Sequence, residues 1–218
     1  NLYCQLKKIC PELDSINIGG GFPIKHSLGF EYDYNFMINE IVSNIKKACK
    51  KAKVPMPNIY TEFGSYTVGE SMAHIYKVLA EKKQNDRECW YMIDSSFITT
   101  LPDTWGIGEK FLMLPVNKWE NDYQRVVLGG LTCDSHDYYD SEEHINEVFL
   151  PKLTAEEPLY VGFFHTGAYQ DQISGYGGIK HCLIPSPKHV IVEYDKNGKL
   201  IDWVYAKEQS AQSMLKIL

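Results

Sequence analysis

A β-branched run, Ile16-Asn17-Ile18, leads directly into three glycines, Gly19, Gly20 and Gly21, and then Phe22-Pro23. Consecutive glycines after a strand leave backbone N–H groups with no Cβ to hold an anion away. That is chemistry for gripping a phosphate at the carboxyl mouth of a barrel strand. The competing reading is a flexible strand-to-helix turn. A second polar position, Glu62 in Thr61-Glu62-Phe63-Gly64-Ser65, ends the short run Asn58-Ile59-Tyr60. If both strands belong to one barrel, Glu62 faces the same mouth as the glycines; otherwise it is a solvated strand-end acid.

Cys133 and Asp134 fall just past the apolar run that follows Arg125. A thiol placed there can transfer a proton if its pKa is tuned, although a small cysteine beside a turn-forming aspartate is the commoner arrangement. Ser135-His136-Asp137 has the letters of a hydrolase triad, but triad members converge from separate elements rather than adjoining positions. Tyr169, in Gly167-Ala168-Tyr169-Gln170, ends another apolar run and could donate its hydroxyl to a phosphate or cap a β-core. Gly175-Tyr176-Gly177-Gly178 lacks the preceding strand of a dinucleotide site. The seven histidines and six cysteines show no metal-ligand spacing.

The elements that must position these residues fall into two textures. Residues 1–10 read as a helix stopped by Pro11, and 15–18 as a strand. Ile38, Ile41, Val42, Ile45 and Cys49 put a helix over 34–53, which Pro55 and Pro57 end. With the strand at 58–62 this is a parallel βαβ unit. Beyond about residue 70, short apolar runs at 74–79, 90–93, 111–116, 125–132, 159–164, 189–194 and 201–205 alternate with Gly, Pro, Asn and Asp. Asn197-Gly198 signals a hairpin. The expected fold is α/β plus all-β: the last part of a (β/α)8 barrel over 1–72, then an antiparallel β-sandwich or barrel domain over 73–218 with a short terminal helix. A whole barrel needs roughly 250 residues, and the chain opens at Asn1 within a helical pattern, so an upstream part of the barrel is expected to be missing.

A net charge of −6 over 218 residues, with no long basic run, argues against a nucleic-acid surface. No apolar segment is long enough to span a bilayer, and scattered cysteines fit reduced thiols in a cytoplasmic protein.

Taken in order, Gly-Gly-Gly-Phe-Pro, Glu-x-Gly, Cys-Asp-Ser and Gly-Ala-Tyr-Gln resemble the second half of the fold-type III pyridoxal-phosphate decarboxylases, the alanine-racemase-like group that includes ornithine, diaminopimelate and arginine decarboxylases. Leu101-Pro102-Asp103-Thr104-Trp105-Gly106-Ile107 makes the resemblance closest to the bacterial biosynthetic arginine decarboxylases. The resemblance implies that Gly19, Gly20 and Gly21 hold the phosphate of pyridoxal 5'-phosphate, Glu62 pairs with its pyridine nitrogen, and Tyr169 also reaches the phosphate. It implies that Cys133 reprotonates the substrate carbon, and that Asp103 and Asp134 meet a distal guanidinium. It further implies a homodimer or higher oligomer with shared active sites, in which Cys133 and Asp134 complete the partner's site. The implied reaction is arginine to agmatine and CO2 in polyamine biosynthesis. Ornithine, lysine, diaminopimelate or carboxynorspermidine as substrate, or a non-catalytic homologue acting through its dimer surface, are the alternatives. The family's usual phosphate-neutralising Arg is Ser65 here, and Lys25, Arg87 or a cation in the missing part is the expected substitute. The lysine that carries the cofactor belongs to the missing part of the barrel, so the residues in hand are not expected to catalyse alone. No metal is implied.

Overall fold

The computed structural model describes residues 1–139, 148–173 and 181–216, and the chain divides into two compact units, Asn1–Gly69 and Glu70–Leu218.

In the first unit, helix α1 (Leu2–Ile9) precedes strand β1 (Ser15–Asn17), helix α2 (Tyr34–Ala52), strand β2 (Asn58–Tyr60) and a short helix α3 (Gly64–Val68). Asp33 caps α2 by accepting from the Phe36 N–H at 2.8 Å, satisfying one of the helix's orphan donors. Lys53, at φ 57°, closes it in the left-handed region, with Lys50 and Lys51 in the last turn complementing the dipole. β1 and β2 pair in parallel, Ile16 opposite Ile59, with α2 as the crossover. Tyr3, Cys4 and Cys49 are the buried apolar side chains, packed against Leu13, Ile16, Ile45, Ala48, Ala52 and Val54. The periodic stripe of α2 is therefore covered only toward its C-terminal end: Ile41, Val42 and Ile45 are half-buried and Ile38 is exposed.

The second unit begins with strands β3 (Ala73–Lys83) and β4 (Cys89–Ile93), helices α4 (Phe97–Thr100) and α5 (Pro102–Gly106), and strands β5 (Leu112–Pro115) and β6 (Tyr123–Gly129). It continues through β7 (Tyr138–Tyr139), β8 (Val148–Pro151), β9 (Tyr160–Phe164), α6 (Gln170–Ile173), β10 (His189–Tyr194), β11 (Leu200–Ala206) and α7 (Ala211–Leu215). Among the described residues, seven strands form one sheet in the order β5-β9-β3-β4-β6-β7, with β8 also on β6. Along β3 the side chains of His74, Tyr76 and Val78 are buried while those between them are exposed, the two-residue period of a sheet with one wet face. Tyr91, Phe97, Leu128, Leu150, Val161 and Phe163 are wholly inside, and Phe163 packs edge-on against Tyr76, Phe97 and Tyr139.

The apolar runs past residue 70 each became a strand, but the expected all-antiparallel order did not hold. β4 and β6 are parallel, Tyr91 opposite Leu128, so the sheet is mixed. Alternating hydrophobicity records which face a residue takes and carries no strand direction; the chain between Ile93 and Tyr123 is long enough for the crossover a parallel pair requires. β10 and β11 form a separate antiparallel hairpin. At its turn Asp195 accepts from the Asn197 and Lys199 amides at 2.8 and 2.9 Å, and Gly198 takes φ 76°.

Candidate active site

One group of candidate residues lies where β1 and β2 end. The parallel ladder continues past both strands: Ile18 N–H donates to Tyr60 O at 3.0 Å and Glu62 N–H to Gly19 O at 2.8 Å. The triglycine and the acid are thus neighbours on one strand-end rim. A Cβ at Gly20 would lie 2.3 Å from the Glu62 carbonyl oxygen, closer than any side chain tolerates, and Gly19 and Gly21 adopt φ 76° and 78°. Here glycine is required both for close approach and for conformation. Asn17 fixes the rim from within. Its Oδ1 accepts from the Gly19 N–H at 2.8 Å and its Nδ2 donates to Glu62 Oε1. The amide of Gly19 is therefore already engaged within the rim. Phe22 stacks on Phe63 with centroids 4.6 Å apart, and Tyr66 packs on both, locking the two loops side by side.

A separate group of candidate residues is carried by the other unit. Asp137 organises the loop holding Cys133 and Asp134. Its buried carboxylate accepts from the Phe97 N–H at 2.9 Å, the Thr132 N–H at 3.0 Å and the Thr132 hydroxyl at 2.7 Å. Gly130 leaves the space: a Cβ there would meet this carboxylate at 2.3 Å. Ser135-His136-Asp137 is thus no triad, since Asp137 accepts from Phe97 and Thr132 and not from His136. Asp134 uses one oxygen to accept from the His136 N–H at 2.7 Å, forming an Asx turn. The carboxylate is half-buried, and the same oxygen lies 3.5 Å from His136 Nδ1. Cys133 is exposed, and its sulfur lies 3.6 Å from that of Cys182. The sulfur contact, with the like charge of a second thiolate behind it, pushes the Cys133 thiol above its usual range. Cys133 therefore keeps its proton at neutral pH.

Asp103, in the first turn of α5, accepts from Gln170 Nε2 at 3.0 Å. Gln170 is buried at the start of α6, and Tyr169 precedes it with φ 69° and an exposed ring. The same bond therefore ties the Asp103 helix to the Tyr169 turn. Of the substitute cations, Lys25 sits in the loop that follows the triglycine, and Arg87 is exposed in the β3–β4 turn.

Sequence reasoning missed Asn17, Asp137, Gln170 and the proximity of Cys182. Asn17, Asp137 and Gln170 stand within runs noted for their neighbours; Cys182 is distant in sequence and offers no local spacing to Cys133. Gly175-Tyr176-Gly177-Gly178 and His144 lie outside the described residues.

The fold is that of solved amino-acid decarboxylases. The biosynthetic arginine decarboxylase of Campylobacter jejuni matches all of this chain with 50% of its own, at a TM-score of 0.80 and 20% identity. Diaminopimelate decarboxylase from M. jannaschi matches 99% of this chain with 45% of its own, at a TM-score of 0.75 and 19% identity. In sequence the chain has homologues named biosynthetic arginine decarboxylase. The Marinobacter nauticus protein is 34% identical over 112 residues, 49% of this chain and 17% of the relative. The Vibrio vulnificus protein is 31% identical over 120 residues, 52% of this chain and 18% of the relative. The chain therefore aligns with under a fifth of the length of these curated relatives. No family model matches it.

Proposed function

We propose that this chain is the C-terminal part of a pyridoxal-phosphate-dependent amino-acid decarboxylase that converts arginine to agmatine and CO2 in polyamine biosynthesis, in the cytoplasm. Residues 1–72 would supply the last part of its (β/α)8 barrel and 73–218 its β-domain. The observation that supports this best is the 2.8 Å bond from Glu62 N–H to Gly19 O, which sets an anion-binding turn and a carboxylate on one rim.

The residues present suit the cofactor. A rim built from glycines at positive φ, with a carboxylate beside it, is a donor and acceptor set for a phosphate and a protonated ring nitrogen. Gly20, Gly21 and Tyr169 would hold the phosphate, with Gly19 shaping the turn, and Glu62 would accept from the ring nitrogen. When bound, the cofactor supplies an electron sink for the carbon that loses CO2. Asn17 holds the Glu62 carboxylate in place from one side. Cys133, its proton held by the raised pKa, would deliver that proton to the substrate carbon. Asp103 and Asp134 would receive the guanidinium, whose planar fork suits carboxylates. A dimer or higher oligomer with shared sites follows if Cys133 and Asp134 serve the partner. The carrier lysine would come from a barrel segment outside these residues. Ser65 in place of a phosphate-binding Arg leaves Lys25, on the loop after the glycines, as the candidate cation.

The test is a competition assay on the full-length protein with arginine, ornithine, lysine and diaminopimelate. Arginine should be consumed fastest; its losing to another substrate overturns the specificity. Failure to decarboxylate any, with no absorbance from bound cofactor, supports the non-catalytic homologue that Ser65 favours. Within the enzyme, Cys133→Ala should slow turnover about 100-fold or more, the usual contribution of a positioned acid, or divert product through faulty protonation. Unchanged kinetics remove Cys133 from this role.

A further inference from the structure

Cys133 does not stand alone. The sulfurs of Cys133 and Cys182 and a ring nitrogen of His181 all lie within 4.8 Å of one another, and both thiols are free. The 3.6 Å between the sulfurs is too long for a disulfide, which needs about 2.0 Å. It is instead close to one edge of a zinc tetrahedron: two thiolates about 2.3 Å from a tetrahedral ion stand about 3.8 Å apart. The left-handed backbone at Cys182 (φ 52°) and Leu183 (φ 52°) turns the chain sharply at this point, and both side chains of the consecutive His181-Cys182 pair come within reach of Cys133. Two sulfurs and one imidazole select a thiophilic ion over calcium or magnesium, which prefer oxygen.

We propose that Cys133, His181 and Cys182 form a three-ligand site for zinc or a similarly thiophilic divalent ion, with the fourth position open to solvent. Binding releases one proton from each thiol to solvent and leaves His181 neutral as a ligand. Because both cysteines are exposed, the ion can enter and leave without unfolding. Its consequence for turnover rests on the decarboxylase reading above. A metal-bound Cys133 thiolate carries no proton, so the loaded enzyme lacks its acid and stops until a chelator strips the ion.

The site is tested on the reduced full-length protein by titration with Cd2+, following the ultraviolet thiolate-to-cadmium band, with Zn2+ as competitor. The expected result is one ion per chain, a band of two-thiolate amplitude displaced by Zn2+, and about two protons released per ion. Cys182→Ser should halve the band and weaken binding at least about tenfold, and His181→Ala should weaken it similarly with the band retained. No band at one equivalent, or a band untouched by Cys182→Ser, overturns the site, as does air oxidation to a disulfide with no metal uptake by the reduced form. Inhibition reversed by chelator is read separately. Metal that binds as described yet leaves turnover intact keeps the site and refutes the acid role of Cys133.

Discussion

The two units of this chain obey the same physics with unequal means. Among the described residues, the second buries fifteen apolar side chains in one cluster, from Tyr76 through Phe163, and β3 alternates between a wet and a dry face over its first six residues. The first buries three, Tyr3, Cys4 and Cys49, around two three-residue strands, and leaves Leu2, Ile9, Phe36 and Tyr60 exposed. Two strands and one crossover helix have too little apolar surface to enclose. The β-unit carries a core of its own, while the rim with the triglycine and Glu62 rests on short-range backbone bonds and stacked aromatic rings.

The contrast is broken most directly by truncation. Phe163→Ala should cost the β-unit about 3–5 kcal/mol, seen as earlier loss of amide protection in its strands. Ile45→Ala in the first unit, where the side chain is only half-buried, should cost well under half of that. Equal losses would erase the distinction. Next in size is an acid effect confined to the β-unit. Burial, with His189 nearby, lowers His74 from about 6.5 to about 4. An unfolded chain therefore binds a proton in this window that the fold refuses. Stability is full above about pH 6.5 and falls as pH drops toward 4, by up to about 3 kcal/mol. His74→Gln should remove that slope, and a slope that persists in the variant would assign it elsewhere. Gly20→Ala, which drives a methyl into the Glu62 carbonyl, should cost about 1–3 kcal/mol and lower cofactor retention while leaving amide protection of the β-sheet unchanged. Ser65→Arg has the smallest expected effect: cofactor binding tighter by about 1 kcal/mol, read as a fold-change in dissociation constant, against no change if Lys25 already fills that place.

How much of this was legible in the residues follows the same divide between local and distant causes. Strand positions in the second unit, the hairpin at Asn197-Gly198 and the βαβ unit with its glycine turn were readable because each is written in a short window. The parallel β4–β6 pair was not, since side-chain alternation is blind to direction. α4 and α5 went unread although Ser96, which caps α4 by accepting from the Thr99 N–H, and Pro102 at the start of α5 are their start signals. Asp137 looked like the tail of a false triad. Its role depends on Phe97 and Thr132, and the former bond spans forty positions. The pairing of Cys133 with Cys182, forty-nine positions apart, has no local trace either. What each candidate residue leans on had no local trace in the sequence.

Tyr169 holds φ 69°, a conformation that costs an L-residue with a Cβ about 1–2 kcal/mol and costs glycine almost nothing. Tyr169→Gly would therefore relax the turn while deleting a ring that lies mostly in solvent. This spot thus sets local ease of folding against an aromatic group that contributes little to the interior, so a glycine variant that melts later yet holds a phosphorylated ligand less tightly would show the two interests pulling apart at a single position.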